Sequence, residues 1–152
     1  MTSLKRLLFV LLIVLCTSCT TKEYISDEDT FDYYEITYEI GEGKKLQWEL
    51  YDGSDGLYFF CEIKEPVLSS NMYSYGTFVA YHASVLEGVG ERLTPLPYDV
   101  YSMDNGYRWT EQYTCEYSVG YITFIVKIDD FNMDYLPPNQ TFVVKYLINN
   151  NR

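Results

Sequence analysis

Residues 33–40 are YYEITYEI, and residues 121–128 are YITFIVKI. In each stretch every second side chain is apolar and shares one face of an extended chain. The two apolar sets are Tyr34, Ile36, Tyr38 and Ile40 in the first stretch, and Ile122, Phe124, Val126 and Ile128 in the second. A period of two is typical of a β-strand that buries one face. Both stretches are therefore predicted strands, and their apolar faces are the predicted core.

The same pattern extends along the chain in both directions. Turn residues separate its strands, such as DGSDG at 52–56 and DNG at 104–106. The seventeen tyrosines favour pleated sheets over helices. We expect an all-β domain of about eight strands, arranged as an antiparallel β-sandwich, with a small closed β-barrel as the alternative. Residues 85–97 contain two glycines and two prolines, which predicts an irregular loop and no ladder strand.

The N-terminus carries a targeting pattern. Lys5 and Arg6 precede an unbroken apolar run at residues 7–15. That run is shorter than the roughly 20 residues that a helix needs to cross a bilayer. It matches the apolar region of a secretory signal peptide, and the small residues Thr17 and Ser18 favour cleavage before Cys19. An ordinary secreted protein cut nearby, or a retained membrane anchor, is the alternative.

Residues 16–19, CTSC, resemble the lipobox of bacterial lipoproteins, although Cys16 stands where that family usually carries Leu. The resemblance implies that Cys19 is the lipidation site, acylated for example with palmitate, and anchors the chain to a membrane. Acyl chains stabilise such anchoring in proportion to their length. The expected organisation is a signal peptide at 1–18, a lipidated flexible tether at 19–31 and a β-sandwich domain at 32–152. The tether is predicted from its polar, acidic composition.

Further short motifs resemble a group of small Bacteroidetes lipoproteins of unassigned function. They are a Trp-containing strand, GTFVAY at 76–81, LPY at 96–98 and FVVK at 142–145. The acidic cluster at 26–29 resembles an export signal of such lipoproteins, although it lies farther from the cysteine. The resemblance implies an outer-membrane lipoprotein exposed at the cell surface, with a periplasm-facing anchor as the alternative. It implies no catalytic residue.

Charge limits the partners. The formal net charge is −11, and removing a signal peptide that holds two cations and no acid takes it to −13. Such a surface argues against nucleic acid and against attraction to anionic lipid headgroups. The expected partners are the membrane, through Cys19, and either a glycan or an envelope protein.

Catalytic signatures are scarce. The single histidine, His82, is in phase with apolar strand neighbours, which favours a core position over a catalytic base. No nucleotide-binding or nucleophile motif is present, so we predict a non-enzymatic protein without a cofactor. A small hydrolase with paired carboxylates is a less favoured alternative. Two acidic loops offer oxygen ligands to calcium, but turn chemistry explains both and no metal site is predicted. Their residues are Asp52, Ser54 and Asp55 in one, and Asp129, Asp130, Asn132 and Asp134 in the other.

Two cysteines remain beyond Cys19. Cys61 and Cys115 would form a disulfide in an oxidising envelope if their Cα atoms came within about 7 Å. Two buried free thiols are the alternative.

Aromatic residues concentrate around the hairpin at 104–106. The candidate binding surface there is Tyr98, Tyr101, Tyr107, Trp109 and Tyr113, of which alternate members must face away from the core. Tyrosine and tryptophan suit stacking on sugar rings or gripping a protein. Core filling is the plainer explanation. We therefore expect a binding or assembly module, with carbohydrate binding through exposed Tyr and Trp as a specific alternative.

Overall fold

The computed structural model of the chain describes residues 23–26, 31–54, 56–104, 106–129 and 136–149, with the backbone alone for 23–26 and 104. The predicted signal peptide and Cys19 lie outside these residues. Within the part described, no helix has the length and apolar character needed to cross a membrane.

Ten strands and one short helix make up the described chain. In chain order they are β1 (Glu23–Ser26), β2 (Phe31–Ile40), β3 (Glu49–Gly53), β4 (Gly56–Lys64), α1 (Ser70–Tyr75), β5 (Gly76–Leu86), β6 (Gly90–Pro95), β7 (Tyr98–Asp104), β8 (Tyr107–Ser118), β9 (Tyr121–Ile128) and β10 (Gln140–Asn149).

The strands form two five-stranded antiparallel sheets. The first sheet has the order β1-β2-β10-β5-β6, and the second has the order β3-β4-β9-β8-β7. Neither sheet closes on itself, so the predicted β-sandwich is confirmed and the closed barrel is not what the chain forms. Alternation explains this packing, because each strand turns its apolar face toward the other sheet.

The core lies where the central strands face each other. Phe124 on β9 stacks on Phe142 of β10 with ring centroids 4.4 Å apart. Tyr38 on β2 contacts the same Phe124 ring from the neighbouring strand at 5.5 Å. These rings are buried, together with every residue of the two apolar sets predicted from 33–40 and 121–128 except Tyr34, which is partly buried.

The segment at 85–97 is where the loop prediction is wrong. Leu86 pairs with Gly90, and β6 continues the ladder as far as Pro95. Gly88 and Gly90 have positive φ angles of 76° and 98°, which allow a tight turn. Pro95 is tolerated because β6 is an edge strand, where a missing N–H faces no partner.

Part of the segment predicted as a flexible tether is also a strand in the structure. Glu23–Ser26 forms strand β1 and pairs antiparallel with β2, from Glu23 opposite Glu35 to Ser26 opposite Asp32. The first sheet therefore begins inside the tether region at 19–31.

The two ends of the sandwich are built differently. At one end, which we call the helix end, the turn at Gly120 exchanges backbone hydrogen bonds with the segment before α1: Glu65 N donates to Gly120 O, and Gly120 N donates to Leu68 O. At the other end, which we call the hairpin end, the β5–β6 and β7–β8 turns extend side by side. Contacts between His82 and Tyr113 and between Phe78 and Tyr117 establish this alignment of β5 over β8.

Candidate ligand-binding groove

The β7–β8 hairpin presents two different faces. Gly106, with a φ of 84°, makes the tight turn that joins the strands. Tyr101 lies opposite Thr110, and Met103 opposite Arg108, on the face that points away from the core. Ser102 and Trp109 alternate with these residues and point toward the other sheet. The outer face of the hairpin therefore carries side chains that a ligand could contact. The inner face carries the polar groups of Ser102 and Trp109.

A solvent-open groove of about 530 Å³ runs along this hairpin. Its lining residues combine one exposed aromatic ring with charged and hydroxyl groups: Tyr101, Ser102, Met103, Arg108, Trp109, Thr110 and Asp129. Tyr101 is 84% exposed, the highest exposure of any large hydrophobic side chain described. Asp129 is fixed in place because its carboxylate accepts from Thr110 N and its own N–H donates to Thr110 O at 3.0 Å.

A buried carboxylate supports the groove from behind. Glu111 is 2% exposed, and its Oε1 atom accepts hydrogen bonds from two groove residues. Trp109 Nε1 donates to it at 2.9 Å and Ser102 Oγ at 3.1 Å. Its Oε2 atom accepts from Tyr113 OH at 2.5 Å. Because the carboxyl group is buried, it requires such donors inside the protein.

The hydrogen bonds continue across the core into the opposite sheet. Gln140 Nε2 donates to Tyr113 OH at 2.9 Å, and Gln140 Oε1 lies 2.6 Å from His82 Nε2. The His82 ring stacks on Tyr98 at 5.3 Å and on Tyr113 at 5.7 Å. We call this series of hydrogen-bonded side chains, Glu111–Tyr113–Gln140–His82, the core chain. It joins β8 in one sheet to β10 and β5 in the other.

The five predicted aromatic residues divide between the groove and the core. Tyr101 is on the groove, and Tyr107 is half-exposed beside Trp109, with ring centroids 6.0 Å apart. Trp109 is partly buried against Glu111. Tyr113, 1% exposed, and Tyr98, which stacks on His82, face the interior. The structure therefore brings two of the five to solvent and does not form one coplanar surface from all of them.

The two cysteines are free thiols in the structure. Cys61 on β4 and Cys115 on β8 both pair with Phe124, from opposite sides of β9. Two strand spacings separate their backbones by about 9.6 Å, beyond the roughly 7 Å that a disulfide spans. Burial raises the pKa of Cys61 to about 11 and that of Cys115 to about 12. A disulfide would require β9 to be displaced.

The second buried carboxylate is remote from the groove. Glu65 follows β4 at the helix end, whereas Glu111 pairs with Ile128 at the other end of β9. Seven residue-to-residue steps of β9 separate these levels, from Tyr121 to Ile128, and they correspond to about 24 Å. Catalytic carboxylates of glycoside hydrolases lie within about 10 Å of each other. These two glutamates therefore do not form such a pair.

The predicted acidic loops are only partly described. Asp52 and Ser54 are exposed, Asp129 lines the groove, and Asp55, Asp130, Asn132 and Asp134 lie outside the described residues. Within the described part of the chain, no group of three His, Cys, Asp or Glu side chains is arranged to hold a metal ion.

Sequence reasoning missed the residues that anchor the groove. Glu111, Ser102 and Gln140 are not among the predicted site residues, although Glu111 is in phase with the inward residues Trp109 and Tyr113 of β8. An acidic residue at a core-facing position of a strand can be recognised in the sequence. It indicates a hydrogen-bonded site, because a buried carboxylate requires donors.

No family model matches this chain, and no curated protein or solved structure matches it either.

Proposed function

We propose that this chain is a membrane-anchored, extracytoplasmic lipoprotein that binds a carbohydrate in the groove of the β7–β8 hairpin. The observation that carries the proposal is the groove itself, in which the exposed Tyr101 ring adjoins Arg108 and Asp129. The protein acts by binding and needs no cofactor. The anchor is acyl chains on Cys19, at the outer membrane and facing the cell exterior.

The mixture of groups in the groove suits a sugar better than a purely apolar ligand. A sugar ring has an apolar face for stacking on tyrosine and hydroxyls at its edge for hydrogen bonds. Arg108 supplies donors, Asp129 supplies acceptors and Thr110 supplies a hydroxyl group. The volume of about 530 Å³ lies in the range of small-molecule sites.

The binding test uses residues 20–152, which retain all ten strands, against immobilised polysaccharides and host glycans. Tyr101→Ala should weaken saturable binding about tenfold or more, since a central aromatic contact typically contributes over 1.4 kcal/mol. Its stability should stay within about 0.5 kcal/mol of wild type, because the ring is exposed. Trp109→Ala is a poorer probe, since it also removes a donor to buried Glu111.

Tyr121→Ala is the matched control, because it removes an exposed tyrosine from the far end of the same sheet. It should bind as wild type does. A folded wild-type sample that binds no glycan, or equal weakening by the two substitutions, would remove the groove as a carbohydrate site.

The anchor is tested in cells. Cys19→Ser should abolish incorporation of labelled palmitate and release the protein from the membrane fraction, because the acyl chains supply the membrane affinity. Surface exposure should make the wild-type protein sensitive to added protease in intact cells. Membrane retention of Cys19→Ser would contradict the lipid anchor.

A second candidate function, assembly with an envelope protein, is favoured by a cleft of about 380 Å³ at the side of the sandwich. Strand β7 pairs with β8 only as far as Tyr113, and β6 pairs with β5 only from Tyr81 onward. The remaining parts of β5 and β8 flank this cleft with edges that no described strand covers. Bare edges favour pairing with another chain. A photo-crosslinker at Glu116, which lines the cleft, should trap such a partner in cells, and its failure to do so would argue against assembly at this edge.

A further inference from the structure

In each hydrogen bond of the core chain, the chemistry of the groups decides which one donates. Tyr113 has a single hydroxyl proton, and it donates this proton to Glu111 Oε2. The Tyr113 oxygen then accepts from the Gln140 amide nitrogen. The Gln140 carbonyl oxygen consequently faces His82, and a carbonyl can only accept. His82 Nε2 must therefore carry the proton.

The same carboxylate holds both inward residues of the groove hairpin. Trp109 and Ser102 lie opposite each other on β8 and β7, and both donate to Glu111 Oε1. A single buried atom thus fixes the indole orientation and the hydroxyl orientation behind the groove. Glu111 is itself held from the other side by Tyr113, whose position depends on Gln140 in the opposite sheet.

We propose that Glu111 is the positioning residue of the groove and that the core chain holds it in place from the opposite sheet, with His82 as its far end. The inference rests on the proposed binding function for the meaning of the groove. The direction of the core chain does not depend on any ligand.

Substitution by glutamine separates the two roles of Glu111. In Glu111→Gln, one amide oxygen still accepts from Trp109 and Ser102, so the groove keeps its anchor. The new amide NH₂ faces the Tyr113 oxygen, which turns the tyrosine proton toward Gln140. Gln140 must then present its oxygen to Tyr113 and its NH₂ to His82 Nε2. The predicted result is a change of the His82 tautomer from Nε2–H to Nδ1–H, with the fold retained.

The change of tautomer can be assigned without ambiguity, because the protein contains one histidine. Two-bond ¹H–¹⁵N spectra of residues 20–152 distinguish the tautomers of a neutral imidazole. Wild type should give the Nε2–H pattern, and Glu111→Gln should give the Nδ1–H pattern. An unchanged tautomer in a folded Glu111→Gln sample would overturn the directional chain. A role of Glu111 in stability alone predicts no tautomer change.

The positioning role has its own readout at the indole of Trp109. The chain has two tryptophans, so the indole N–H region contains two signals, which a Trp48→Phe sample assigns. In Glu111→Leu, the Trp109 indole proton should exchange with solvent at least tenfold faster than in wild type, because it has lost its acceptor. Glu111→Gln should restore slow exchange.

Ser102→Ala keeps the test decisive if Glu111→Leu does not fold, since it removes only the second donor and should leave the Trp109 signal and the His82 tautomer as in wild type. At least tenfold faster exchange of the Trp109 indole proton in Ser102→Ala than in wild type, or slow indole exchange in a folded Glu111→Leu sample, would overturn the positioning role.

Failure of the binding proposal would look different. In that case no glycan would bind to wild type, while the tautomer and indole results would remain as stated. If wild type does bind the glycan found in the screen, Glu111→Leu should weaken that binding about tenfold and Glu111→Gln should restore most of it.

Discussion

Among the described residues, two glutamates are buried in this sandwich, and they lie at its opposite ends. Glu65 is 4% exposed at the helix end, and Glu111 is 2% exposed at the hairpin end. Each accepts a hydrogen bond from a buried tyrosine: Tyr38 OH donates to Glu65 at 2.7 Å, and Tyr113 OH to Glu111 at 2.5 Å. The side chain, the burial and the type of donor are thus the same.

Their remaining partners differ. Glu65 also accepts from Val67 N at 3.1 Å, a backbone group of its own loop, and Tyr38 OH lies 3.3 Å from Tyr146 OH. These contacts close the end of the sandwich against α1. Glu111 accepts instead from two side chains that line the groove. A buried carboxylate that binds core and loop groups fixes structure, whereas one that binds groove residues also sets the geometry of a surface.

The largest expected effect is at the helix end. Glu65→Ala should lower the free energy of unfolding by about 3 kcal/mol, because it removes the acceptor of Tyr38 OH and of Val67 N and leaves a cavity. Urea unfolding measures this value. Glu62→Ala, an exposed acid on the same strand, is the control and should change stability by about 0.5 kcal/mol or less. A loss below about 1 kcal/mol for Glu65→Ala would show that the end is not closed by this carboxylate.

The next prediction compares two buried tyrosines, Tyr113 in the core chain and Tyr146 at the helix end. Tyr113→Phe should cost about 2 kcal/mol, because it leaves a Gln140 donor and a Glu111 oxygen without their partner inside the core. Tyr146→Phe should cost about 1 kcal/mol or less, because Tyr38 keeps its bond to Glu65. Thermal and urea unfolding of the two variants test the difference. Equal losses would mean that the core chain contributes no more than the buried contact between the Tyr38 and Tyr146 hydroxyl groups.

Alkaline pH should weaken the helix end. Burial raises the pKa of Tyr38 and of Tyr146 above the ordinary value of 10.0. Because the folded state holds these protons more tightly than the unfolded state, their contribution is complete below pH 10 and is lost as pH rises further. The loss is about 1.4 kcal/mol per pH unit for each tyrosine. Urea midpoints between pH 9 and about 11 should therefore fall less steeply in Tyr38→Phe than in wild type. Parallel slopes would contradict the prediction.

Strand alternation carries a signal that both glutamates face inward, which the prediction from sequence did not use, and it carries no signal about their partners. Glu65 continues the phase of Phe59, Cys61 and Ile63 on β4, and Glu111 continues that of Trp109 and Tyr113 on β8. Alternation is local and can be followed along the chain. Glu111 finds Trp109 and Tyr113 on its own strand, but other partners are distant in sequence. Tyr38 is 27 positions from Glu65, and Gln140 is 27 positions from Tyr113. Sheet order sets those contacts, and no local pattern encodes sheet order.

The hairpin end shows the same limit for backbone structure. Proline and glycine in 85–97 predict a loop, and that prediction is wrong because β6 lies at the edge of its sheet, where Pro95 pairs with Tyr81 on one side and faces no strand on the other. The aromatic prediction around 104–106 could not divide its members between solvent and core. That division depends on which strand the hairpin packs against.

The smallest expected effect concerns the two thiols, which lie between the two carboxylate ends. Cys61 and Cys115 flank Phe124, and burial raises the pKa of both well above that of a free thiol. At pH 8 the reactive thiolate is therefore scarce. The test uses a protein of residues 20–152, which lacks Cys16 and Cys19. In its folded state, Ellman's reagent should react with each thiol at less than about one tenth of the rate seen in urea. Cys61→Ser and Cys115→Ser assign the two rates. A disulfide that forms on mild oxidation of the folded protein would show that β9 separates from a neighbouring strand more readily than its buried position between β4 and β8 implies.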